Sequence, residues 1–269
     1  MIYLRSFRLS CKTVRDPYIY PYHVFAGKAK DWILFDKITI LYGDNASGKS
    51  TMLNILANQL QIEGKENATH NPWDPYFDQF TKECSYGLGE DEYGRTISKI
   101  PPGSRYIKSE DIMYEIKKIQ QETVLQEGYL YEHAKKGWTK EQRDEYKNSW
   151  EMKRDMENMI YSQEKYSNGE TALQIFDDYL NMDALYLLDE PEVSLSPRNQ
   201  VRLAQQLNQA SRFLGCQFVI ATHSPFLLGT LDAKIYNLDS PNLDACQWHE
   251  LENVRYFYDF FKQHEREFQ

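Results

Sequence analysis

The sequence is poor in cysteine, and the few it has are scattered. Cys11, Cys84, Cys216 and Cys246 form no Cys-x-x-Cys pair, so the spacing of a zinc site or a thioredoxin-type centre is missing and reduced thiols are expected. A long apolar run is also lacking. No stretch approaches the roughly 20 consecutive apolar residues that cross a bilayer, and the opening Met1–Ser6 has no leader-like apolar segment. The expectation is a cytoplasmic protein without direct membrane insertion, so that any membrane role comes through a partner. Positive charge is in deficit: 31 Lys and Arg against 40 Asp and Glu leave a net charge of −9. A chain held to nucleic acid by phosphate contacts alone is ordinarily basic, so nucleic-acid binding here would need a local basic groove on an acidic protein. No internal repeat or low-complexity tract occurs.

What is present is the composition of an ordinary globular protein. The 269 residues are 41% hydrophobic and 26% charged, values far from those of disordered chains. The length suits one large domain or a core with an inserted lobe. Residues 2–9 alternate as a strand does, and 18–25 reads as a strand broken by Pro21. Lys37–Tyr42 is a β-rich run that ends at Gly43, and helical spacing follows over 51–60. The turn-rich stretch 64–104 predicts short antiparallel strands, with 105–108 returning to the main sheet. Residues 111–162 are charged with helical spacing and predict a lobe of helices with solvated faces. The second half then alternates strand and helix: Leu185–Leu188, the helix Pro197–Leu214, the strand 217–222, and a last strand 234–238 before a polar, aromatic C-terminal helix. This rhythm predicts an α/β fold with a mostly parallel central sheet, helices on both faces and an antiparallel β part. The division is expected as 1–110, an inserted helical lobe 111–165, and 166–269.

The most specific signal is the loop Gly43-Asp44-Asn45-Ala46-Ser47-Gly48-Lys49-Ser50-Thr51, which fits the Gly-x4-Gly-Lys-Ser/Thr pattern in full. Glycines at both ends let backbone N–H groups turn inward around phosphate oxygens, and a helix starting near Lys49 adds its positive end. Lys49 is expected to reach the β- and γ-phosphates, and the Ser50 hydroxyl to take a Mg²⁺ position. Asp189-Glu190 closes an apolar strand, where the second metal-holding residue, Asp189, and a general base, Glu190, are expected. The predicted cofactors are therefore ATP and Mg²⁺.

Three further segments stand in a telling order. Ser167-Asn168-Gly169-Glu170 resembles the signature sequence of the ABC-ATPase superfamily. Asp189-Glu190-Pro191-Glu192 running into Ser194-Leu195-Ser196 resembles that superfamily's Walker B and D-loop. Ala221-Thr222-His223-Ser224-Pro225 resembles its switch-histidine segment. The match covers 37–60 and 165–240. In wording it resembles the SMC-like and OLD-nuclease-like branches, and most of all the small stand-alone bacterial "AAA family ATPase" proteins. The expectation is of neither long coiled-coil arms, for which 111–162 is too short, nor an acidic metal-cluster domain. Two departures stand out: Ser196 replaces the usual D-loop aspartate, and no Q-loop glutamine is evident, with Glu110 as the stand-in. Tyr18, Tyr20 and Tyr22 are the candidates for stacking on adenine.

The resemblance implies an ATP-dependent homodimer. Each nucleotide would lie between the phosphate loop of one subunit and Ser167, Asn168, Gly169 and Glu170 of the other. Glu190, His223 and Lys49 would carry hydrolysis. It further implies a dimeric switch in DNA maintenance or antiphage defence, acting on nucleic acid or a protein effector. The alternatives are a nucleotide-gated scaffold for a protein effector and the energising subunit of a transporter.

Overall fold

The computed structural model describes residues 1–16, 18–28, 31–66, 75–91, 93–116 and 168–268. The chain forms two compact units. The first comprises Met1–Ser109, Leu180–Val193 and Gln200–Gln269; the second comprises Glu110–Tyr179 and Ser194–Asn199.

The first unit is built on strands with no polar face to offer. β3 (Ile38–Tyr42), β6 (Leu185–Asp189) and β7 (Gln217–Ala221) are buried at every position, the pattern of a parallel sheet covered on both sides. With β5 (Arg105–Lys108), β8 (Lys234–Asn237) and β9 (Ala245–Cys246) they form a six-stranded sheet in the order β5-β6-β7-β3-β8-β9. All neighbours are parallel except β9, which pairs antiparallel with β8. The register sets Ile40 beside both Ile220 and Ile235, and Asp189 beside both Lys108 and Ala221. The carboxyl ends of β3, β6, β7 and β8 therefore open on one edge, where open α/β sheets bind ligands.

A second sheet is antiparallel, with β1 (Leu4–Arg8) between β2 (Ile33–Leu34) and β4 (Ser85–Leu88). One fully buried amide joins the two sheets. Gln217 Oε1 accepts the Tyr3 and Leu4 N–H groups at 2.8 and 2.9 Å, and Nε2 donates to the Leu4 and Asp36 carbonyls at 2.8 and 3.1 Å. Helix α1 (Lys49–Gln59) buries Met52, Leu53, Ile55, Leu56 and Ala57 in the core. Helix α2 (Tyr76–Glu83) contributes Phe77 and Phe80; Phe25 stacks on Phe80 at 5.6 Å and Tyr22 meets it edge-on at 4.8 Å.

Three expectations need correction. Residues 18–25 form no strand. The segment is a compact turn with a cis Tyr20–Pro21 bond, since Pro21 has no N–H for a ladder and burying Tyr22 and Phe25 fixes the path instead. The stretch 64–104 contains α2 as well as β4, so it is not purely antiparallel strand; Phe77 and Phe80 at i, i+3 supply the helical face. The strand at 234–238 is not the last, because β9 pairs with it across the turn at 240–243.

Residues 109–116 are helical, with Ile112 and Ile116 of the second unit buried. α3 (Asn168–Tyr179) buries Ala172, Leu173, Ile175 and Phe176. Most of the expected lobe 111–165 lies outside the described residues. α4 is Pro197–Phe213, of which residues from Gln200 on belong to the first unit. It starts with proline at its first position, where the missing N–H costs nothing, and Ser196 Oγ accepts the Asn199 N–H at 3.4 Å.

Replacing Gln217 with Leu strips four main-chain groups of their partner, and should lower unfolding free energy by roughly 3 kcal/mol or more. Urea denaturation checks this; a loss under about 1 kcal/mol would mean the two sheets are held by packing alone.

Candidate functional site

The loop after β3 has a shape that its glycines permit. Gly48 caps α1 at φ 99°, and Ala46 also lies at positive φ, 66°. A Cβ on Gly43 would come within 2.5 Å of Ser47 Oγ, and one on Gly48 within 2.7 Å of Val24 Cγ1 and 3.0 Å of the Phe25 ring. The loop closes on itself through Ser47 N–H to the Asp44 carbonyl at 3.1 Å. Asp239, just past the end of β8, anchors it by accepting the Asp44 N–H at 2.9 Å. Lys49 is 5% exposed, and its ammonium lies across the loop, donating to the carbonyls of Gly43 at 2.7 Å and Asp44 at 3.1 Å. The first-turn amides of α1 have no carbonyl one turn back and give the loop a positive end.

β6 brings the acids. Asp189 is buried at the strand's carboxyl end; Oδ1 accepts the Ser50 hydroxyl at 3.1 Å and Oδ2 accepts the Tyr106 hydroxyl at 3.1 Å. Ser50 and Asp189 thus meet although 139 residues separate them. Glu190 follows at φ 47°, a left-handed conformation that costs a non-glycine residue roughly 1–3 kcal/mol. It is tied back by its N–H to the Ala221 carbonyl at 2.9 Å, and the turn is closed by Val193 N–H to the Glu190 carbonyl at 3.1 Å.

The loop after β7 supplies His223. Its Nδ1 lies 3.6 Å from Glu190 Oε1 and 3.9 Å from Glu192 Oε1. Glu192 is buried and receives the Thr222 hydroxyl and, at 3.2 Å, the His223 N–H. Burial pushes the Glu192 carboxyl up from its ordinary range, while the Thr222 hydrogen bond and the nearby His223 pull the other way.

The first unit therefore gathers Gly43–Thr51, Asp189, Glu190 and His223 at one sheet edge. Of the remaining predicted residues, Ser167 lies outside the described residues, and Asn168, Gly169 and Glu170 begin α3 in the second unit. Ser194, at φ 68°, with Leu195 and Ser196, forms a loop in that unit, where the Ser194 hydroxyl contacts Met113 Sδ at 3.1 Å. Glu110 is an exposed helical residue of the second unit. Among the tyrosines, Tyr20 reaches the loop: its hydroxyl donates to Thr51 Oγ1 at 3.3 Å and its ring stacks on Phe77 at 6.1 Å. Tyr22 is buried with its hydroxyl on Glu83 at 2.9 Å, and Tyr18 is turned to solvent. Tyr106, Asp239 and the contacts of Glu192 with Thr222 and His223 escaped the sequence reading. Tyr106 could have been found only as a polar-tipped residue beside Ile107 in the buried middle of β5.

The residues present suit a polyphosphate with a divalent cation. Ser47 Oγ is buried in the loop without a hydrogen-bond partner, the first-turn amides of α1 face an anion at the loop, and the one hydroxyl and one carboxylate at Ser50 and Asp189 are the hard oxygen donors that Mg²⁺ takes.

Residues 104–229 match the model of the family described as "AAA domain, putative AbiEii toxin, Type IV TA system". No curated protein matches the chain. Among solved structures, the Smc head domain of Pyrococcus furiosus, with an extended coiled coil and bound to the C-terminal domain of ScpA, is 14% identical. Its TM-score is 0.45, with 97% of this chain and 100% of that one covered. A nucleotide-free ATP-binding cassette from an ABC transporter is 13% identical, TM-score 0.44, with 88% of each chain covered. The SMC head domain of Thermotoga maritima is 12% identical, TM-score 0.41, covering 90% of this chain and 97% of that one.

Gly48→Ala combines a left-handed backbone with a 2.7 Å approach to Val24, and should cost about 2 kcal/mol, or about 4–8 °C in Tm. A thermal melt within 1 °C of wild type would show that the turn before Lys49 relaxes freely.

Proposed function

We propose that this chain is a P-loop ATPase of the ABC superfamily with SMC-like character, which binds MgATP on Gly43–Thr51 and hydrolyses it. The observation that carries this reading is the 3.1 Å hydrogen bond between Ser50 and Asp189. It joins the phosphate loop of β3 to the acid of β6 at the spot where a metal-bound phosphate would be held.

The chemistry follows from the charges. ATP brings several negative charges, and the Lys49 ammonium and the first-turn amides of α1 supply the opposing field in a partly dry site. Exchange of the Gly43 and Asp44 carbonyls for β- and γ-phosphate oxygens would turn Lys49 outward from its resting bonds. Ser50 and Asp189 would hold Mg²⁺, which supplies charge neutralisation to the phosphates. Glu190 takes a proton from the attacking water as the water oxygen bonds to the γ-phosphorus and the bond to the β,γ-bridging oxygen breaks. His223, whose Nδ1 faces Glu190 at 3.6 Å, contacts the γ-phosphate or the water and senses its loss.

The reading extends to an ATP-dependent homodimer in which Ser167, Asn168, Gly169 and Glu170 of one subunit close over the nucleotide of the other, Ser194–Ser196 borders that interface and Glu110 takes the Q-loop place. Opening on hydrolysis is then the output. The toxin–antitoxin wording of the matched family model supports a role in antiphage defence or DNA maintenance by analogy of family. ATPase assays with and without DNA and RNA test it: stimulation by either supports the role, and an unchanged rate argues for a protein effector instead.

Lys49→Ala should reduce ATP turnover at least about 100-fold by removing the phosphate-facing cation; unchanged hydrolysis would dismiss the site. Glu190→Gln should lower kcat about 100- to 1,000-fold while ATP still binds, and size-exclusion chromatography with MgATP should show it as a dimer. A monomer under those conditions contradicts the sandwich.

A further inference from the structure

The turn after Asp189 carries a second carboxylate that the steps above leave unused. Glu192 is 6% exposed, and its Oε2 is buried without a hydrogen-bond partner. Burying a carboxylate costs several kcal/mol unless its surroundings compensate, and an apolar side chain of similar size would fill the space at lower cost. The compensation is concentrated on Oε1, where the Thr222 hydroxyl and the His223 N–H both donate and His223 Nδ1 stands 3.9 Å away.

Those contacts continue into a chain of hydrogen bonds. Thr222 Oγ1 accepts the Ser224 N–H at 3.0 Å. The Ser224 hydroxyl donates to Gln200 Oε1 at 2.6 Å on α4, and accepts the Phe226 and Leu227 N–H groups that open helix α5 (Pro225–Thr230). On its far side the His223 carbonyl accepts from Asn253 Nδ2 at 3.2 Å, in the first turn of α6 (Glu252–Gln263). The backbone of residue 223 is thus gripped from two directions, while its imidazole is 46% exposed. The ring nitrogen facing inward looks at two acids, Glu190 at 3.6 Å and Glu192 at 3.9 Å.

We propose that Glu192 is a positioning residue for His223: it fixes the main chain at 222–223 and favours a proton on Nδ1, leaving Nε2 as the nitrogen available to phosphate. The assignment of work to His223 rests on the ATPase reading above; the geometry of the clamp does not. Glu192 touches no reacting atom, so its effect must pass through the histidine.

A double-mutant cycle with a spectroscopic arm tests this. In the wild-type background Glu192→Ala should lower kcat about 10- to 100-fold with KM for ATP changed less than about threefold. Glu192→Gln, which keeps an acceptor for Thr222 and the His223 amide, should recover most of that loss. In a His223→Ala background Glu192→Ala should add less than a twofold further loss. Long-range ¹H–¹⁵N spectra of the imidazoles, with His223 assigned by its loss in His223→Ala, should show the Nδ1–H tautomer in the wild type and a tautomer mixture in Glu192→Ala. Should Glu192→Ala not fold, Thr222→Val removes one donor to the carboxylate; a loss of about 3- to 10-fold in kcat, absent in the His223→Ala background, is then expected. Additive losses, or a His223 spectrum indifferent to residue 192, would overturn the proposal. If the wild type proves inactive the ATPase reading fails, and the spectra still decide the clamp.

Discussion

A single hydroxyl–carboxylate contact, Ser50 to Asp189, organises the candidate site at the edge of the parallel sheet. For it to form, β3 and β6 must lie two positions apart in a parallel sheet with their ends level, and β7 must pass between them, as the order β6-β7-β3 provides. The uniform burial of those three strands is what makes that order stable, because each has apolar residues on both faces and helices must cover them. The side chains at the strand ends then have nowhere to go but the open edge. Lys49, Asp189, Glu190 and His223 are collected there by topology, across separations that no local pattern bridges.

The same edge concentrates opposed charges at close range. Asp189 ends β6, and Glu190, Glu192 and Asp239 sit on the loops leaving β6 or β8, with Lys49 as the buried cation among them. Lys49 is held by carbonyls, Asp189 by two hydroxyls and Asp239 by an amide of the loop. Each bond is one that a polyphosphate or a cation can replace with a stronger, charge-assisted one. The acidic balance of the whole chain, −9, does not oppose an anionic substrate, because the field that matters is local and comes from one ammonium and a helix N-terminus.

Much of this was legible in the residues. The runs at 37–42, 185–188, 217–222 and 234–238 declare themselves because a strand buried on both faces is apolar throughout, and α1 follows from the Gly-x4-Gly-Lys-Ser loop that must open a helix. The failures share one cause. At 18–25 the alternating tyrosines imitate a strand, and only the tertiary fit of Tyr22 and Phe25 against Phe80 shows the segment to be a turn. β9 is two residues long and is defined by its partner, not by its composition. Tyr106, 83 residues from Asp189, and Gln217, more than 210 from Tyr3, act through contacts at a range that periodicity cannot reveal. Glu192 was readable as part of a resemblance in wording, but its contacts with Thr222 and His223 required the β6–β7 register.

The central claim is that a triphosphate is held by the turn ahead of Lys49, opposite Asp189. A crystal structure with a non-hydrolysable ATP analogue and Mg²⁺ tests it most directly. The account predicts Lys49 Nζ swung from the Gly43 and Asp44 carbonyls onto phosphate oxygens, with the cation between Ser50 and Asp189. Analogue bound elsewhere, or Lys49 still folded on those carbonyls beside a bound triphosphate, would contradict it.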